Sequence, residues 1–156
     1  MLDEIRSHAR AAAAVPEECC GLVLGAGTER FRRVYRCRNV MDRMHQEDPA
    51  QFPRTNRDAF YIDPGELMRA QVEADAMGEV VTAIYHSHVD ARAYFSEMDQ
   101  TFATQAFPEA DHLVVSVLVV SVPGSRIEET RIKEEGLFRR NGAADLLGFR
   151  VQSIPT

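Results

Sequence analysis

The run EVVTAIYHSH, residues 79–88, is apolar and rich in β-branched residues, with no alternation until its last three positions. A strand with one face in water alternates apolar and polar side chains. An unbroken run therefore belongs inside a sheet that is covered on both faces. DHLVVSVLVVSV, residues 111–122, has the same character. Two such strands require helices to cover them, and the rest of the chain supplies candidates. Leu2, Ile5, Ala9 and Ala12 recur at helical steps before Pro16. Asp63, Pro64 and Glu66 supply an N-cap, a first-turn proline and a capping-box acid. Met68, Val72 and Ala76 then form the expected apolar face of this helix, and Gly78 stops it.

Shorter strands are expected at CCGLVLG (19–25) and RFRRVYRCR (30–38), joined as a hairpin across GAGTE, and at AFYID (59–63), RIEETRIK (126–133) and LGFRVQSI (147–154). MDQTFATQAF, residues 98–107, reads as helix. Residues 39–58 contain two prolines and no sustained period, and read as one long loop. Interleaved helices and strands give an α/β or α+β fold class, a mixed sheet flanked by helices. The 156 residues fit one domain, 1–156.

The net charge of −6 repels a phosphate backbone, so no nucleic-acid partner is expected. No apolar run reaches the roughly 18 residues of a membrane span, and the N-terminus has no signal-peptide pattern, so a cytoplasmic protein without membrane association is expected. Cys19, Cys20 and Cys37 are odd in number and lack CxxC spacing, and read as small buried hydrophobes. His8, His45 and His112 have no ligand spacing; the first two read as surface residues.

The chemistry concentrates in YHSHVDARAYFSEMDQ, residues 85–100. On an extended segment His86 and His88 share a face and Ser87 points away, so the two imidazoles can converge on one ion. Ser96 and Asp99 have the S-x-x-D form of a capping box, and this local reading stands beside a role in a site. Two imidazoles and one carboxylate, with a position left for water, are the ligand set of a catalytic zinc site. The candidate ligands are His86, His88 and Asp99. A base must take a proton from the water, and Glu18, just before the first strand, is the candidate, with Glu17 as its local competitor.

Together these residues resemble the JAMM, or MPN-plus, metalloprotease family. Its signature is a glutamate ahead of a strand, then His-x-His, seven residues, Ser, two residues and Asp, and HSHVDARAYFSEMD matches it throughout. PEECCGLVLG is similar to the family's upstream segment, in which the glutamate stands three residues before the glycine; counting back from Gly21 selects Glu18. The resemblance implies a cytidine deaminase-like fold, one Zn2+ per chain and a catalytic Ser96. It also implies hydrolysis of peptide or isopeptide bonds after the Gly-Gly tail of a ubiquitin-like or sulfur-carrier protein. Deaminase chemistry lacks its H-x-E and P-C-x-x-C signature here. A metal-free scaffold and a zinc hydrolase of small conjugates remain the alternatives.

Overall fold

The computed structural model describes residues 1–99, 107–124, 128–140 and 149–152. The elements are α1 (Leu2–Ala13), β1 (Cys20–Ala26), β2 (Glu29–Cys37), α2 (Met41–Glu47), α3 (Pro64–Ala76), β3 (Val80–Val89), β4 (Asp111–Ser121), β5 (Glu128–Arg140) and β6 (Phe149–Gln152). The strands form one mixed sheet in the order β2-β1-β3-β4-β5-β6. Only β3 and β4 are parallel; the other neighbours run antiparallel. The fold is thus α+β, with the two apolar runs side by side at the centre.

Strand parity divides the core into two layers. Ala83 and Tyr85 of β3 face α1, whose Ile5, Ala9 and Ala13 are buried against Val23, Leu113, Val115 and Val117. Ile84 faces the other way, with Leu22, Leu24, Ile62 and the α3 residues Ala70 and Ala74. His86 and His88 have the parity of Ile84, so they lie on the α3 face at the carboxyl end of the strand.

The helix face expected for α3 is corrected. Met68 and Val72 are 71% and 65% exposed, and Ala70 and Ala74 are buried instead. Small side chains let this helix approach the sheet closely, and the larger apolar residues point outward. The capping box is also only half made: Asp63 accepts from Gly65 N, but Glu66 accepts from Arg38 N and so ties α3 to the end of β2.

The stretch 39–58 is not a single loop, because it contains α2. A seven-residue helix is too short to show a period, and its start is set by a side chain, the Asn39 carboxamide oxygen accepting from Met41 N. The expected AFYID strand is reduced to one bridge, Ile62 to Asn39. β5 begins at Glu128 and continues past the expected end at Lys133 to Arg140. Most of the expected helix MDQTFATQAF, at 100–106, lies outside the described residues, as do the flanks of the last strand.

All three cysteines are free and buried. Burial pushes the Cys19 and Cys37 thiols up to about 12, which suits packing and not reactivity. His8 is not a surface residue: it is half-buried, with Nδ1 2.8 Å from the Tyr85 hydroxyl. Among the described residues no helix is long and apolar enough to cross a membrane.

Candidate metal centre

β3 presents His86 and His88, both buried, and the chain leaving the strand brings Asp99 back to them. The reversal uses Asp90 at φ 55°, a left-handed conformation that Asp tolerates better than most residues. Its backbone N donates to Val117 O at 2.8 Å, and its Oδ1 accepts from Val119 N at 2.9 Å. The next residues are tacked to the sheet: Ala91 O accepts from the Ser116 hydroxyl, and Glu134 Oε1 accepts from Ala93 N at 2.7 Å.

This path gives His88 its orientation. Its Nδ1 lies 2.7 Å from Arg92 O. A carbonyl only accepts, so Nδ1 carries the proton and Nε2 offers its lone pair inward, the orienting arrangement found around metal-bound imidazoles. His86 stacks on Phe60 with ring centroids 4.6 Å apart. His86 Nε2 lies 3.2 Å from His88 Nε2 and 3.5 Å from Asp99 Oδ2.

One ligand atom from each of the three residues lies within 4.8 Å of the others. Tetrahedral coordination at about 2.0–2.1 Å separates ligand atoms by about 3.3–3.4 Å. The observed 3.2 and 3.5 Å therefore fit a small divalent ion. Two buried imidazole nitrogens and a carboxylate are also a donor set that a cation would satisfy. Burial alone would raise the Asp99 carboxyl, but His86, together with hydrogen bonds from His86 and Ser96, holds it below the usual carboxylate range. Burial, and then His86, lower His88.

Ser96 and Asp99 do form the capping box. Ser96 N and Oγ donate to Asp99 Oδ2 at 2.8 and 2.6 Å, and Asp99 N donates to Ser96 Oγ at 3.1 Å. The same Asp99 oxygen faces His86, so capping fixes the carboxylate that completes the cluster. In this conformation the Ser96 hydroxyl is directed at Asp99.

Glu18 lines the same cleft of about 560 Å³ as His88, Ser96 and Asp99, and Glu17 does not. Parity explains the choice, because Cys20 pairs with His86 and Glu18, two residues earlier, shares its side of the chain. Burial, then the like charges of Asp99 and Asp58, push the Glu18 carboxyl up to about 9, opposed by Arg54. A cation between the ligands would oppose the like-charge causes.

Several supporting residues carry no pattern that sequence reading could use. Ser87, the middle residue of HSH, accepts from Cys19 N through Oγ at 2.8 Å and donates its own N to Cys19 O at 3.0 Å. Glu18 N donates to Asn56 O at 2.7 Å, and Asn39 Nδ2 donates to Glu18 O at 3.0 Å. Phe60 and Tyr94 cover the two imidazoles, with the Tyr94 and His88 centroids 4.7 Å apart. An adjacent apolar or aromatic position is the only signal for these, and it does not distinguish a site wall from core.

A protein-family profile described as prokaryotic homologs of the JAB domain matches residues 1–133. The chain belongs to that family. Over 99 residues it is 35% identical to the tail tip assembly protein K of Escherichia phage N15, covering 64% of this chain and 32% of that protein. The chain thus spans about a third of the curated relative it matches. The solution structure of a protein from Desulfitobacterium hafniense superposes with a TM-score of 0.60 at 23% identity, covering 99% of this chain and 86% of the other. One from Salinibacter ruber gives a TM-score of 0.58 at 25% identity over 98% and 85%. The JAB-domain expectation is met over most of the chain, and the His-His-Asp cluster of this JAB domain is compatible with a metalloenzyme.

Proposed function

We propose that this JAB domain is a zinc hydrolase that cleaves peptide or isopeptide bonds after the Gly-Gly tail of a ubiquitin-like or sulfur-carrier protein in the cytoplasm. The observation that carries the reading is the convergence of His86, His88 and Asp99 beside a cleft that His88, Asp99 and Glu18 line. These three residues would hold the ion. When bound, zinc supplies the Lewis acidity that makes water nucleophilic near neutral pH and polarises a carbonyl. Glu18 takes the proton from the attacking water and delivers it to the leaving amine. Burial favours its protonated form, which suits delivery to the amine, and a cation between the ligands would oppose the like-charge part of that shift and free the carboxylate to act as base. Ser96, by rotating its hydroxyl away from Asp99, would donate to the developing oxyanion.

Gln51, Phe52 and Pro53 of the segment after α2 line the cleft together with Tyr94 and Met98, and the proposed tail would pass between such side chains. A backbone without Cβ atoms can pass close to such walls, so glycines are favoured immediately before the cut. Intact-mass analysis of a carrier extended beyond Gly-Gly tests this. The extension should be lost, and a tail with either glycine changed to valine should resist. Equal cleavage of both tails refutes tail recognition. No cleavage by zinc-loaded protein refutes the hydrolase.

The identity to tail tip assembly protein K supports a second reading, in which a domain of this kind serves in phage tail assembly. Co-purification with tail tip proteins by a Glu18→Gln protein that is otherwise inactive on carrier tails would favour it.

A further inference from the structure

The cleft does not end at Ser96. A second hollow of about 580 Å³ continues from it, lined by Arg54, Tyr94, Phe95, Ser96, Glu97 and Met98. Arg54, Tyr94, Ser96 and Met98 belong to both. A substrate crossing the metal ligands therefore meets two compartments, and Arg54 stands at their junction.

Among the described residues several arginines, including Arg6, Arg30, Arg33, Arg43 and Arg92, pair with a carboxylate. Among the described residues Arg54 forms no ion pair, and its guanidinium makes one hydrogen bond, to Asp58 O at 3.2 Å. That bond anchors Nη1 and leaves the remaining N–H groups directed elsewhere. It also lines the same cleft as Glu18, His88 and Asp99, so it stands near the reacting centre. A guanidinium with open donors matches a carboxylate in a planar two-bond contact. Around it the hollow offers Tyr94, Phe95 and Met98 as apolar wall, with Ser96 and Glu97 as its polar members.

We infer that Arg54 binds the free carboxylate of the leaving amino acid, whose apolar side chain occupies the second hollow. This rests on the hydrolase reading and narrows it to substrates whose leaving group is a terminal amino acid. In the reaction water adds across one C–N bond: the acyl carbon gains the oxygen, and the nitrogen leaves as an amine with the proton delivered by Glu18. A lysine ε-amine within a folded protein brings no α-carboxylate to this position, so isopeptides are poorer substrates.

The test uses N-acetyl-Gly-Gly-Leu with a free carboxylate, and the same peptide as its carboxamide. Calorimetry on the zinc-loaded Glu18→Gln protein measures binding without turnover. The carboxylate peptide should bind about tenfold to a hundredfold more tightly, the range of a charge-assisted hydrogen bond. Arg54→Ala should abolish the difference, Arg54→Lys should keep part of it, and Arg57→Ala, at a residue that lines only the first cleft, should keep it. Equal binding of the two peptides, binding of neither at millimolar concentration, or a preference that survives Arg54→Ala would overturn the assignment. The last of these would mean that the carboxylate binds the metal directly. Release of leucine by the wild-type protein is followed separately. A preference that depends on Arg54 without leucine release would sustain the Arg54 site and reject the hydrolase reading.

Discussion

Asn39 offers the sharpest test of how the site is held. Its side chain uses both ends: Nδ2 donates to Glu18 O at 3.0 Å and Ala59 O at 2.9 Å, while Oδ1 accepts from Met41 N and Tyr61 N, each at 3.1 Å. Three chain segments meet on one carboxamide. Asn39→Ala removes all four bonds. At about 0.5–1.5 kcal/mol each the loss would reach about 2–6 kcal/mol, but Asn39 is half-buried and water can reach some of the freed groups. We expect about 2–4 kcal/mol of destabilisation, read as a lower denaturant midpoint at unchanged slope. Asn39→Asp keeps the acceptor and loses both donors, and it sets a carboxylate oxygen against the Glu18 and Ala59 carbonyls. It should be no more stable than Asn39→Ala. In either variant Glu18 loses one of its two backbone anchors and keeps its N–H bond to Asn56 O, so kcat should fall more than KM rises. A loss of less than about 0.5 kcal/mol in both variants would refute the clasp.

The remaining predictions concern ligands, base, packing and pH. His86→Ala combined with His88→Ala should abolish zinc retention in elemental analysis, because one carboxylate alone holds the ion weakly. Glu18→Gln should keep zinc and the unfolding midpoint while hydrolysis falls by several orders of magnitude, and Glu17→Gln should be nearly silent in the same assay. At Gly21 an added Cβ would lie 2.5 Å from the Tyr85 ring, so Gly21→Ala should cost about 1–3 kcal/mol in denaturation. Burial, then Arg36, lower His8 to about 4, so its contribution to stability is complete above about 6.5 and lost as pH falls towards 4; His8→Gln should flatten that part of the midpoint-against-pH curve.

The elements readable from sequence were those whose pattern has one cause. β3 and β4 are buried on both faces and announced themselves by unbroken apolar runs. α1 buries Ile5 and Ala9 on its expected stripe. α3 has two candidate stripes, and the larger side chains drew the wrong choice; only close packing against the sheet explains why Ala70 and Ala74 face inward. α2 depends on a side chain outside itself, Asn39, and such a cap has no periodic signature. The candidate site was legible in its residue types and spacing because ligation restricts both. Its supports were not: Asn39, Asn56 and Ser87 act through backbone groups, and backbone partners are not encoded by residue type.

The spacing between the histidines and Asp99 also follows from the sheet. β3 and β4 are parallel, with Ala83 level with Asp111 and Val89 level with Val117. A chain that leaves β3 at Val89 must therefore return the full length of the sheet before entering β4, and a parallel connection needs a crossover of a dozen or more residues. The crossover begins where the histidines end. Asp90 turns the chain, Arg92 fixes His88, and helical backbone starts at Glu97 with Ser96 and Asp99 as its cap. The first turn of the crossover thus passes over the carboxyl end of β3, where open sheets commonly bind ligands. A short deletion between Val89 and Ser96 would pull Asp99 out of reach of His86 while leaving the pairing of β3 with β1 intact. Deleting Ala91 should accordingly abolish zinc binding but preserve the β-sheet signature in far-ultraviolet circular dichroism. Retention of full zinc occupancy by that variant would show that the crossover does not set the site.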